Sequence, residues 1–112
     1  MISTHVLDTT RGRPAAGVRV LLESVDLSGA RREVTSTTTD ADGRVRELIP
    51  AGAEARTGSY CLTFETGGYF ATLGIETFYP RVTVEFEVRD AAQHHHVPLL
   101  LSPYGYSTYR GS

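Results

Sequence analysis

Arg81-Val82-Thr83-Val84-Glu85-Phe86-Glu87-Val88-Arg89 alternates without a break. Val82, Val84, Phe86 and Val88 fall on one face and Thr83, Glu85 and Glu87 on the other, the period of a strand with one face buried. The same period recurs upstream. Val18, Val20 and Leu22 share a face, and residues 59–66 turn Tyr60, Leu62 and Phe64 inward, which sends Cys61 the other way. Residues 2–9 form a first strand run. The β-branched run 32–39 leads into Asp40-Ala41-Asp42-Gly43 and then residues 44–49, a pattern that predicts a hairpin. The last runs, 93–101 and 104–109, are separated by Ser102-Pro103.

Gly12-Arg13-Pro14, Ser28-Gly29, Pro50-Ala51-Gly52 and Gly67-Gly68 add turn signals between short runs, as in an all-β sandwich. One helix is expected, over residues 69–78, with Phe70, Leu73 and Thr77 near one face. Gly74 in its middle weakens it by roughly 1 kcal/mol. Seven or eight strands and one short helix are therefore expected, in two facing sheets that bury their inward rows.

Size and composition narrow the function. A chain of 112 residues, 40% of them apolar, suits a single domain over residues 1–112. No run approaches the ~20 apolar residues of a membrane helix. The start, Met-Ile-Ser-Thr-His, has neither the basic nor the apolar region of a signal peptide. No membrane role is expected, and a cytoplasmic location is. A net charge of -2 gives no reason to expect nucleic acid as a partner. All 11 basic residues are arginine, which excludes Schiff-base lysine chemistry and leaves any cationic role to a planar guanidinium. The single cysteine excludes an intrachain disulfide and a cysteine-cluster zinc site.

Two features are unusual. The first is His94-His95-His96. Strand alternation puts His94 and His96 on one face, and His95 on the other with Val97, Leu99 and Leu101. Surface histidines are the plain reading. The functional readings are acid–base work, for which imidazole titrates in the right range, and a metal site completed by His5, the only other histidine. His5 alone reads as a partly buried structural residue and Arg44, after the Asp42-Gly43 turn, as a solvated one. A functional Arg44 would hold an anion or polarise a carbonyl. The second feature is the tail, residues 104–112, with three tyrosines in six residues and strand-like alternation. Tails are usually polar and frayed, so this one is expected to dock in its own sheet or on another subunit. No Gly-x-Ser-x-Gly motif is present and no serine is set beside a base.

His5-Val6-Leu7-Asp8, followed by Gly12-Arg13-Pro14-Ala15-Ala16-Gly17-Val18, resembles the first signature of the transthyretin-related proteins. His96-Val97-Pro98-Leu99-Leu100-Leu101-Ser102-Pro103-Tyr104-Gly105-Tyr106-Ser107 resembles the second. Tyr109-Arg110-Gly111-Ser112 is similar to the ending that separates the 5-hydroxyisourate hydrolases from transthyretin, the hormone carrier. Glu76-Thr77-Phe78-Tyr79-Pro80 fits the family's passage from helix to strand. The resemblance runs the length of the chain.

It implies a transthyretin-like β-sandwich of two four-stranded antiparallel sheets, with a short helix between the fifth and sixth strands. It implies a homotetramer, a dimer of dimers, with active sites in the channel between dimers. The family's catalytic histidines fall on His5 and His96, its arginine on Arg44 and its terminal serine on Ser112. The implied reaction is hydrolysis of 5-hydroxyisourate in urate breakdown, with no cofactor. In that reading His5 and His96 orient and deprotonate a water that attacks the ring carbonyl. Arg44 stabilises the oxyanion, and Ser112 with Tyr109 shapes the pocket and holds substrate. Two alternatives stay open: a non-catalytic carrier of small ligands on the same fold, and a zinc site of His94, His96 and His5.

Overall fold

A computed structural model describes residues 1–112. The elements in chain order are β1 (Ile2–Asp8), β2 (Arg13–Pro14), β3 (Arg19–Val25), β4 (Arg31–Thr38), β5 (Arg44–Val45), β6 (Gly58–Phe64), α1 (Thr66–Thr72), β7 (Val82–Val88), β8 (His95–Ser102) and β9 (Gly105–Thr108). One sheet runs β2-β1-β8-β9, with β5 also on β1, and the other runs β4-β3-β6-β7. The two-sheet sandwich expected from the alternation forms. Its core joins Ile2, Val6, Val20, Leu22, Leu62, Phe64, Val82, Leu99 and Leu101 with Phe70 of the helix. No helix is long and apolar enough to cross a membrane.

Within the sandwich, two details differ from two four-stranded antiparallel sheets. The first sheet holds five strands, because the two-residue β2 joins its edge. Its central seam, β1 with β8, is parallel, from Ile2 opposite His95 to Asp8 opposite Leu101. Parallel neighbours cannot be joined by a tight turn and need a long connection. Here that connection takes in the whole of the second sheet, the helix and the short β2 and β5, so no local signal in the sequence marks the pairing.

The hairpin expected around Asp40–Gly43 does not form, although the turn does. β4 pairs with β3 in the second sheet, whereas β5 pairs with β1 in the first. The turn therefore carries the chain from one sheet to the other. Gly43 N–H donates to the Asp40 carbonyl at 2.9 Å, and the Asp40 carboxylate accepts from the N–H groups of Asp42 and Arg44. These bonds hold the Asp40 carboxyl below its usual range, that from Arg44 most strongly. Gly43 has φ of +72° and lies against β1, where an added Cβ would come within 2.5 Å of the Val6 carbonyl oxygen. Only glycine meets both conditions.

The helix starts three residues before the expected segment and ends at Thr72. Gly74 is its stop signal and not an interior defect. At φ of +68° it donates its N–H to the Ala71 carbonyl, while Ile75 N–H donates to that of Phe70. This paired C-terminal cap satisfies carbonyls that the helix leaves open. The outward-pointing Cys61 is nevertheless fully buried, and burial pushes its thiol up.

Candidate active site

The site lies on the face of the five-stranded sheet that points away from the core. On β1 Ile2, Thr4, Val6 and Asp8 form the buried inner row, while on the outer row Ser3 is buried and His5 and Leu7 are partly buried. On β8 His95, Val97, Leu99 and Leu101 are buried and His96 is half-buried. The alternation predicted for the three histidines is therefore the observed one. His95 is an inner-face residue whose Nδ1 lies 3.0 Å from the Gln93 carbonyl. Burial, then the Arg110 charge, push its basicity down.

Register brings the candidate residues together. His5 is opposite Arg44 of β5 on one side and opposite Pro98 of β8 on the other. Ser3 is opposite His96. The tail is ordered by its own sheet: Leu99 to Ser102 pair with Thr108 to Gly105, and Gly111 bridges His96 in the same register. Pro98 has no N–H to give to the ladder, so regular pairing lapses at Tyr109 and Arg110 and resumes at Gly111. Thr108 Oγ1 donates to the Pro98 carbonyl at 2.7 Å across the gap.

The result is a polar pocket of about 150 Å³ lined by Ser3, Thr4, Arg44, Val45, Arg46, His94, His96 and Ser112. Arg44, His96 and Ser112, three of the residues expected from the sequence, line it together. His5 stands beside it in the register, between Arg44 of β5 and Pro98 of β8. Tyr109 is not brought into this pocket. It lines a separate cleft of about 220 Å³ with Phe86, His95 and Arg110, which touches the first only through His96.

Electrostatics favours a neutral His96. Burial is the largest cause, and Arg44, His94 and His5 add to it, so its pKa lies below the ordinary imidazole value of 6.5. A neutral imidazole beside a guanidinium can accept a proton from water while the guanidinium stabilises a developing oxyanion.

The sequence reading missed Ser3. Its Oγ lies 2.7 Å from His94 Nε2 and 2.7 Å from His96 Nδ1. The one available signal was its spacing, two residues before His5 and so on the same face of the strand. The three-histidine metal arrangement does not form either. His94 and His96 converge on the Ser3 hydroxyl, and no three His, Cys, Asp or Glu side chains are grouped to hold a metal ion.

Against this geometry stand three similarities. A family model described as HIUase/Transthyretin matches residues 2–111. The 5-hydroxyisourate hydrolase of Salmonella typhimurium is 46% identical over 112 residues, covering 100% of this chain and 81% of that protein. Among solved structures, Klebsiella pneumoniae 5-hydroxyisourate hydrolase superposes with a TM-score of 0.85 at 40% identity, covering 99% of this chain and 98% of that one. Sea bream transthyretin, solved in complex with thyroxine, superposes with a TM-score of 0.90 at 27% identity, covering 98% and 93%. The backbone matches the carrier at least as well as the enzyme, so the fold does not separate the two functions. The side chains in the pocket have to do so.

Proposed function

The chain belongs to the HIUase/transthyretin family, and within it we propose that this protein is a hydrolase, converting 5-hydroxyisourate to 2-oxo-4-hydroxy-4-carboxy-5-ureidoimidazoline in urate breakdown. One observation carries the reading: Arg44, His96 and Ser112, far apart in sequence, line a single polar pocket. A carrier of apolar aromatic ligands has little use for two arginines and two histidines there.

The chemistry is the opening of a cyclic amide. His96, held neutral, takes a proton from a water oriented with the help of His5. The water oxygen bonds to the ring carbonyl carbon, and charge moves onto the carbonyl oxygen, which the Arg44 guanidinium stabilises. Collapse of that intermediate breaks the carbon–nitrogen bond, and the leaving nitrogen takes the proton. Ser112 holds the substrate at the pocket edge, and Tyr109 shapes the adjoining cleft that meets the pocket at His96. No step calls for a cofactor. The protein acts in the cytoplasm, without membrane or nucleic acid as partner.

A pocket of about 150 Å³ is smaller than the ~300–1,000 Å³ of complete small-molecule sites. That shortfall favours assembly as a homotetramer, a dimer of dimers, in which a second copy closes the site. Two observations support association. β7 and β9 are the end strands of their sheets, and Tyr104, Tyr106 and Tyr109 are exposed near the β9 edge.

The test is an ultraviolet time course of freshly generated 5-hydroxyisourate with and without the protein, combined with sedimentation to count subunits. Expected is a rate well above spontaneous decay, reduced about 10²-fold or more in His96→Ala and in Arg44→Ala. No excess rate from folded protein would return the carrier reading. Near-normal turnover in either variant would overturn the assigned roles.

A further inference from the structure

We propose that Ser3 is a positioning residue of the active site. Its single hydroxyl locks His96 with the proton on Nδ1 and passes the reaction's proton on to His94. The inference rests on the hydrolase reading above and assigns a base within it.

A serine hydroxyl carries one hydrogen. With Oγ 2.7 Å from both His94 Nε2 and His96 Nδ1, it donates to one nitrogen and accepts from the other. The two rings therefore cannot choose tautomers independently. If Ser3 donates to His96, then His96 Nε2 carries the ring proton and cannot act as a base. If Ser3 accepts from His96 Nδ1–H and donates to His94 Nε2, then His96 Nε2 keeps a free lone pair.

Surroundings favour the second arrangement. Ser3 is 4% exposed, and its Cα faces His96 across the parallel seam, so its hydroxyl is held between the two rings. His94 is exposed, so its ring can exchange a proton with solvent. Gly111 closes the Cδ2 edge of the His96 ring, where an added Cβ would come within 2.5 Å. With Nδ1 held by Ser3 and that edge held by Gly111, Nε2 is the ring nitrogen left for chemistry. The charged and titratable groups around His96 are Arg44 and Arg46 beyond the turn, His5 on β1 and His94 before β8 on the pocket side, and Glu85, Glu87 and Arg110 in the adjoining cleft. Burial first, then Arg44, His94 and His5, resist a lasting positive charge on His96.

The proton inventory balances. Water gives a proton to His96 Nε2 as its oxygen bonds to the carbonyl carbon. His96 releases its Nδ1 proton to Ser3 Oγ, and Ser3 releases its hydroxyl proton to His94 Nε2. The charge ends on the ring of His94, which is exposed where that of His96 is half-buried. Reversal of the relay supplies the proton that the leaving nitrogen needs.

Two measurements test the proposal. Nitrogen-15 chemical shifts of the histidine rings in the unmodified protein at neutral pH should show His96 protonated on Nδ1 and bare on Nε2. The opposite tautomer overturns the proposal whatever the activity. Ser3→Ala should lower kcat on the order of 10²-fold, the lower range of general acid–base contributions, with KM little changed. Ser3→Ala should also move the acidic limb of the kcat pH profile, and Ser3→Thr, which restores a hydroxyl, should recover much of the rate. A Ser3→Ala enzyme within about twofold of the unmodified kcat, with an unmoved pH profile, would refute the relay. If the unmodified protein shows no hydrolysis, the functional reading fails instead, and the nitrogen-15 result still decides whether Ser3 sets the tautomer.

Discussion

Gly111 lies directly against His96: its N–H donates to the His96 carbonyl at 2.8 Å, and an added Cβ would stand 2.5 Å from Cδ2 of the ring. The tail is thereby both paired to β8 and pressed on the candidate base. A side chain at position 111 must move the ring or lift the tail.

Gly111→Ala is accordingly expected to reduce kcat by about tenfold or more, as small misplacements of a reacting group do. Its φ is not in the left-handed region, so the loss of stability comes from the contact with His96 and Pro98 alone and should stay within about 1–3 kcal/mol. Steady-state kinetics and a urea melt on the same preparation separate the two effects. A large loss of stability with kcat intact would contradict the account.

Acid should weaken the fold through His95 and His96. Both bind protons less readily in the folded protein, His95 mainly because it is buried and His96 mainly because it is buried beside Arg44. Between their folded values and the ordinary imidazole value near 6.5, the unfolded chain holds more protons, so stability rises with pH across that window. This contribution is fully present above about pH 6.5 and is lost as pH falls through the folded values. Urea midpoints across pH 5 to 8 should show this slope, and His95→Phe should reduce it. The acidic limb of kcat/KM for the free enzyme should likewise lie below the ordinary imidazole value.

Two glycines with the same backbone sign should respond differently to alanine. Gly74 has open space around it, so Gly74→Ala should cost about 1–2 kcal/mol for the left-handed conformation alone and leave activity intact. Gly43→Ala adds a collision with the Val6 carbonyl. It should cost more than about 2 kcal/mol and displace Arg44, lowering kcat as well. Melting curves and kinetics of the pair check this, and equal losses would sink the distinction.

Asp8 is fully buried between the first sheet and the helix. Its carboxylate accepts from Tyr69 Oη at 2.8 Å and from the N–H groups of Thr10 and Arg11 at 3.1 Å each. Tyr69→Phe removes one donor from a buried carboxylate and should cost about 1–3 kcal/mol. Asp8→Ala strands the tyrosine hydroxyl and two turn N–H groups and should cost more. Chemical denaturation of both variants gives the comparison, and reversal of that order would refute it.

Several parts of this molecule were legible in the sequence because they depend on neighbours along the chain. The two-residue period of 81–89 marked β7, and the same period separated His95 from His94 and His96. The Asp40–Gly43 turn was legible as a turn, since its hydrogen bonds close within five residues. Its role was not, because which sheet the chain enters next depends on the distant β1. Gly74 shows the same limit on a smaller scale. A glycine costs a helix interior and caps a helix end, and only the bonds of Ala71, Phe70 and Ile75 show which applies.

By itself the sequence determined an all-β chain and an aromatic tail built to dock, and its resemblance to a known family supplied the shortlist of His5, Arg44, His96, Ser112 and Tyr109. Tertiary structure alone decided that Arg44, His96 and Ser112 share a pocket, that Tyr109 faces a neighbouring cleft and that Ser3 joins His94 to His96. The physical reason is the parallel seam between β1 and β8. Parallel strands need a long connection, so residues about ninety positions apart become hydrogen-bonded neighbours. No local propensity, period or turn residue encodes that meeting; it follows only when both sheets bury their inner faces against each other.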